Sequence, residues 1–387
     1  MLSLFQKIHH LFLVYCLCVC ATVCLFHTAR ADGGAPNLAY VAGTPKGISI
    51  IDIAQQKVVR SITTPESPQS LLLSIDGRYL FITQPQQGRF LALSAKTGET
   101  ICTANVPGDP SLLALDPIIN VLYVAGNAAN RVTELDGLTC KIKRVFLTKD
   151  PVYGVALAFA GPNLTNTKDN QLWVATTHTL QTFDASTGRA LDTIALPQGQ
   201  RSQFLTIPPG STVYAATRQG SIEAIDIKSH TMLTLVTGGS YGPMDFNEQT
   251  GEIFVPDRKK TRLLVLSPVT VGAPLPQEPR RVVAFPFAPV SVAITSDGQL
   301  GFVALQNGTV SILDLPGRQT ITTLFVGGSP HFIVTGLYPP LVGLIPQETT
   351  LLGTLVNDGA YTLLFLLIFA PLTYFWFLAR KKRANHL

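Results

Sequence analysis

The sequence predicts an all-β chain: a seven-bladed β-propeller closed by a C-terminal strand, with a signal peptide before it and one transmembrane helix after it. Three observations carry the propeller. An aromatic recurs inside a short apolar run at Tyr40, Phe81, Tyr123, Trp173, Tyr214, Phe254 and Phe302, with spacings of 41, 42, 50, 41, 40 and 48 residues. A period of that size built from short strands marks a radial repeat. A second apolar run follows each aromatic and ends 11–13 positions beyond it, at Asp52, Ser94, Asp136, Asp184, Asp226, Ser267 and Asp314. Helical periodicity is absent over the same segments.

Each repeat then resolves into strands. In the first, LAYVAG, GISIIDI and KVVRSI are three apolar runs separated by turn residues. A turn signal such as TPESP, PGDP, TKDP or GGSP comes next, followed by a run such as SLLLSIDG that opens the following repeat. Short β-rich runs bounded by Gly, Pro, Asp and Asn make one four-stranded antiparallel blade. The runs are continuously apolar, as strands buried on both faces require. Repeat one lacks its first strand, and the run HFIVTGL at 331–337 supplies it. That pairing shuts the ring and leaves only short edges. Two insertions, at 159–171 and 267–281, lengthen loops on one face of the disc.

The propeller occupies 32–338, and the segments around it set its address. Residues 1–31 read as a signal peptide: Lys7, His9 and His10 precede an apolar stretch from Leu11 to Phe26, and Ala29 and Ala31 are small residues at a cleavage site. Residues 339–358 form a tether. Residues 359–379 carry no charge over 21 positions, long enough to span a bilayer, and Arg380, Lys381, Lys382 and Arg383 open a cytoplasmic tail, 380–387. The chain is therefore expected in the cell membrane as a single-pass protein, with the propeller outside. The formal charge of +5 is a topology signal. Between residues 32 and 358 there are 23 basic and 24 acidic groups, so no nucleic-acid partner is expected.

The propeller retains two cysteines, Cys102 and Cys140, at similar places in the outer strands of neighbouring repeats. An outside compartment permits a disulfide between them. Outer strands of adjacent blades splay apart, however, and a bond needs α-carbons within about 7 Å. Both outcomes, a bond and two isolated thiols, stay open.

Tyr40-Val41-Ala42-Gly43, Tyr123-Val124-Ala125-Gly126 and the turn Gly327-Gly328-Ser329-Pro330 resemble the YVTN-type β-propeller repeat over about 300 residues. The third and fourth positions depart from it, because Thr-Asn never occurs there. The resemblance implies a surface-layer or lactonase-like propeller superfamily, whose members include cell-surface proteins, binding proteins and sugar-lactone hydrolases. It transfers no catalytic set to this chain.

The chemistry must be sought in the loops. No haem-attachment, zinc-protease, phosphate-loop or nucleophile-elbow motif occurs, so no cofactor and no metal site are expected. One pattern stands out. Loops joining second to third strands share a face with the blade-to-blade loops, and they carry Lys46, Arg89, Arg131, His178, Arg218, Arg258, Lys259 and Lys260, with Arg262 beside them. His331 and Asp109 lie in blade-to-blade loops on that face. The opposite face carries Asp76, Asp116, Asp169, Glu248 and Asp297. Cations converging on a funnel would concentrate an anionic ligand, and solvated turn residues are the plainer alternative. The expectation is a membrane-tethered binding scaffold for a protein or an anionic ligand. A lactone hydrolase and a structural surface component are the alternatives.

Overall fold

The computed structural model describes residues 38–159, 170–197, 200–208, 210–269 and 281–335. The signal, tether, transmembrane and tail segments lie outside them, as do most of both insertions.

Among the described residues, seven four-stranded antiparallel sheets form the ring. Blades 2, 3, 4, 5 and 7 each run from the axis outward in chain order, beginning at Leu71–Leu73, Pro110–Asp116, Gly154–Ala158, Ser202–Thr206 and Pro289–Ile294. Blade 6 begins with the shortest inner strand, Asp245–Phe246. Blade 1 takes its inner strand, Phe332–Thr335, from the far end of the propeller. That strand pairs with Leu38–Thr44 through Tyr40↔Val334 and Val41↔Ile333, so the ring closes as expected.

Seven hydrophobic clusters of described residues fill the ring, one at each contact between neighbouring blades. This explains the periodic aromatic. Tyr40 sits between blades 1 and 2, Phe81 between 2 and 3, Tyr123 between 3 and 4, and Trp173 between 4 and 5. Tyr214, Phe254 and Phe302 fill the remaining three contacts. All seven are at most 1% exposed. Each therefore stabilises a blade contact by roughly 1.5–3 kcal/mol of buried apolar surface. Their polar tips reach the next blade: Tyr40 Oη donates to Ala95 O at 3.4 Å, and Tyr214 Oη accepts from Val269 N at 2.9 Å. The latter bond fastens the start of the second insertion to blade 5.

The second periodic mark is a turn device. Six of the seven third strands end on the anticipated Asp or Ser, and blade 6 ends one residue earlier, at Leu266. Asp136 Oδ1 accepts from the N–H of Leu138 and Thr139 at 3.1 and 3.0 Å, and Asp226 Oδ1 does the same for Lys228 and Ser229 at 3.0 and 2.7 Å. A short carboxylate satisfies the turn's free donors and fixes the reversal.

The Tyr-Val-Ala-Gly endings have a packing cause. A Cβ on Gly43 would come within 2.1 Å of Ser329 O, and one on Gly126 within 2.0 Å of Asp109 O. In both blades the incoming blade-to-blade loop lies directly on the strand end, leaving no room for an asparagine.

Cys102 and Cys140 are bonded, with α-carbons 5.7 Å apart. The placement of both in outer strands needs correction. Cys102 does lie in an outer strand, Thr100–Asn105, but Cys140 lies in the turn before the outer strand Ile142–Leu147. Its φ of 56° belongs to that turn. A turn residue can lean toward blade 2 where a strand residue would splay away.

Candidate functional site

A cavity of about 620 Å³ runs along the propeller axis, walled by the seven inner strands. Its surface is mainly apolar, with Leu72, Leu113, Val155, Phe204, Val292 and Phe332 among the lining residues. At about 3.3 Å per residue, an inner strand of seven residues such as Pro110–Asp116 gives the channel a length of roughly 20 Å. Four lining residues carry ionisable side chains of acidic or basic character: Asp245, Glu248, Arg258 and His331. Three of these come from blade 6.

The structure sorts the predicted basic residues. Lys46, Arg89, Arg131, His178, Arg218, Lys259 and Lys260 are exposed, while Arg258 and His331 are half-buried at the channel. His331 is engaged by backbone: its Nε2 lies 2.7 Å from Pro68 O and its Nδ1 3.1 Å from Ser329 O. It pins the closing strand of blade 1 to the loop entering blade 2.

Arg258 is different. It follows the strand Ile253–Asp257 in the turn to Arg262–Leu266. Its neighbour Asp257 is fully buried and turns to Arg262, whose Nε lies 3.1 Å away. The Asp257 carboxylate also accepts from Ser240 N at 3.2 Å and Lys260 N at 3.3 Å. The carboxylate nearest in sequence is thus committed elsewhere. Arg258 Nε is sealed from solvent and has no hydrogen-bond partner among the described residues. Burial alone pushes the guanidinium below its ordinary value. A cation held in this way raises the energy of the empty protein, and an entering anion would lower it.

The other end of the channel is acidic. Asp245 occupies the inner-strand position opposite the blade aromatic, Phe254. The equivalent residues elsewhere are Val334, Leu72, Ala114, Ala156, Thr206 and Ala293, none of them charged. Asp245 Oδ2 accepts from Ile294 N of blade 7 at 2.7 Å. Burial raises its carboxyl to about 6, against the opposing pull of the Ile294 and Phe246 backbone N–H groups. Glu248 stands in the following turn. Burial and then the Asp245 charge raise it to about 7, and its Oε2 is sealed without a partner among the described residues. The acid–base chemistry of a hydrolase would fall on this pair. Glu248 was legible as an acid of that face. Asp245 had a signal as well, a carboxylate inside an inner-strand run that is otherwise apolar or hydroxylic.

No protein-family model matches the chain, and no curated protein sequence does. Solved structures are similar in fold. The Cps50 (Swd1) β-propeller domain of Myceliophteria thermophila shares 14% identity at a TM-score of 0.59, covering 72% of this chain and 92% of that one. Hydrazine synthase of Kuenenia stuttgartiensis shares 15% at 0.58, again over 72% and 92%. The dihydro-heme d1 dehydrogenase NirN, in complex with DHE, shares 13% at 0.56 over 78% and 75%. Likeness at this level of identity shows the β-propeller fold alone.

Proposed function

We propose that this protein is a binding propeller whose axial channel takes an elongated amphiphile, with the ligand's carboxylate or phosphate on Arg258 and its apolar body along the inner strands. One observation carries the reading: a half-buried guanidinium, its Nε without a partner among the described residues, at a long apolar cavity. Arg presents a planar fork suited to such anions. The exposed basic residues of the same face would raise the local anion concentration without specifying the ligand.

The reading includes placement outside the cell membrane, held by residues 359–379, with the YVTN-type resemblance as its family context. The Cys102–Cys140 bond supports that placement, since disulfides persist in oxidising compartments.

The test is calorimetric titration with dodecanoate, below its micellar concentration, into the wild type, Arg258→Met and the Lys259→Ala/Lys260→Ala pair. A charge-assisted bond is worth about 1.5–3 kcal/mol, so Arg258→Met should weaken binding at least tenfold. The lysine pair should lose far less. Equal losses in the two variants, or no binding by the wild type, would reject the channel reading.

A further inference from the structure

The channel has a second end, and its chemistry is the reverse of the first. Asp245 and Glu248 lie on the inner strand of blade 6 and in the turn that follows it. Arg258 lies beyond the other end of the strand Ile253–Asp257. Asp245 stands opposite Phe254, four residues before Arg258, so the two lie about 13 Å apart along the strand, with Glu248 farther still. The two carboxyls are close enough for the Asp245 charge to act on Glu248.

We infer that Asp245 and Glu248 form a recognition point for a protonated amine, so that the channel selects ligands carrying a cationic group at the end away from Arg258. This rests on the reading of the channel as a ligand site. Three independent features converge on it. The first is the placement of Asp245, where every other blade puts an uncharged residue. A carboxyl there ties blade 6 to blade 7 through Ile294 N, while the other six blades hold the ring without a charge at this position. The second is Glu248 Oε2, an acceptor sealed in the wall with nothing to accept from among the described residues. A buried acceptor without a donor is costly, and an ammonium brings three N–H donors. The third is the apolar wall that joins the two ends, which excludes water from a bound chain and strengthens the pairing at each tip. Of the Asp245 oxygens, Oδ2 is held by Ile294 N, and that bond aims the group without neutralising it.

The probes are dodecylamine, dodecanol and dodecanoate, each titrated below its micellar concentration into the whole protein. The wild type should bind dodecylamine at least tenfold tighter than dodecanol. Glu248→Gln and Asp245→Asn should each remove that preference, and Arg258→Met should leave it intact. The amide of Asp245→Asn can still accept from Ile294 N, so the fold has its bond; unchanged near-ultraviolet circular dichroism checks this. The wild-type comparison of amine with alcohol needs no variant at all. Equal affinity for amine and alcohol, or a preference that survives Glu248→Gln, overturns the inference. If dodecanoate fails to bind while the amine preference holds, the Arg258 reading falls and the carboxyl site stands. If dodecanoate binds through Arg258 and no amine preference exists, the reverse follows.

Discussion

Replacing both Cys102 and Cys140 by serine should lower stability by an amount that follows from chain length. The bond joins residues separated by 38 positions. Closing a loop of that size in the unfolded chain removes conformational entropy worth about 4 kcal/mol at 25 °C. Unfolding entropy near 2 cal/mol/K per residue over roughly 300 residues converts this to a fall in Tm of about 6 °C. The sulfurs join blades 2 and 3 at the rim, away from the axial channel, so ligand affinity should not change. The assay is differential scanning calorimetry of the wild type and the double variant, with thiols counted by mass after alkylation under denaturing, non-reducing conditions. A Tm change under about 1 °C would refute the entropic argument. Two alkylated thiols in the wild type would refute the bond itself.

Two other perturbations probe packing and charge. Trp173 is fully buried between blades 4 and 5, and its Nε1 has no partner among the described residues. Trp173→Phe, which copies Phe81, Phe254 and Phe302, should therefore cost no more than about 1 kcal/mol in chemical denaturation, whereas Trp173→Ala should cost about 3–5 kcal/mol. The raised carboxyls of Asp245 and Glu248, at about 6 and about 7, bind protons more tightly in the folded than in the unfolded chain. Their contribution is complete at low pH, below the ordinary carboxyl values, and is lost as pH rises through 6 and 7. Stability should fall between pH 5 and pH 8 by on the order of 2 kcal/mol, less than the shifts alone imply because the channel admits solvent. Glu248→Gln should flatten the upper part of that fall, and a pH series of denaturation midpoints reads it directly.

How much the sequence disclosed depended on what each residue was packed against. The seven aromatics were legible because each plugs the same contact between blades, so the same volume is required at a fixed interval. The aspartates ending the third strands were legible because a turn's free N–H groups need a short acceptor. Ring closure followed from one missing strand at the start and one extra at the end. The disulfide stayed open because its geometry depends on a turn at Cys140 leaning across a blade contact, and no spacing encodes that lean. The basic face was legible as composition but not as a site. Lys259, Lys260 and Arg258 are consecutive residues of one turn, and only the fold shows that Asp257 turns to Arg262 and leaves Arg258 at the channel. Asp245 interrupts an inner-strand run, a mark too slight to assign a role by itself. Its meaning came from the register that sets it opposite Phe254.

The central claim is that the axial channel holds a ligand lengthwise between Arg258 and the Asp245–Glu248 end. The most direct test is a crystal structure of the complex with 12-bromododecanoate, phased to locate bromine. One bromine peak is expected inside the channel, toward Asp245 and Glu248, with the carboxylate on the Arg258 guanidinium. Bromine confined to the outer surface, or a carboxylate seated away from Arg258, would contradict it.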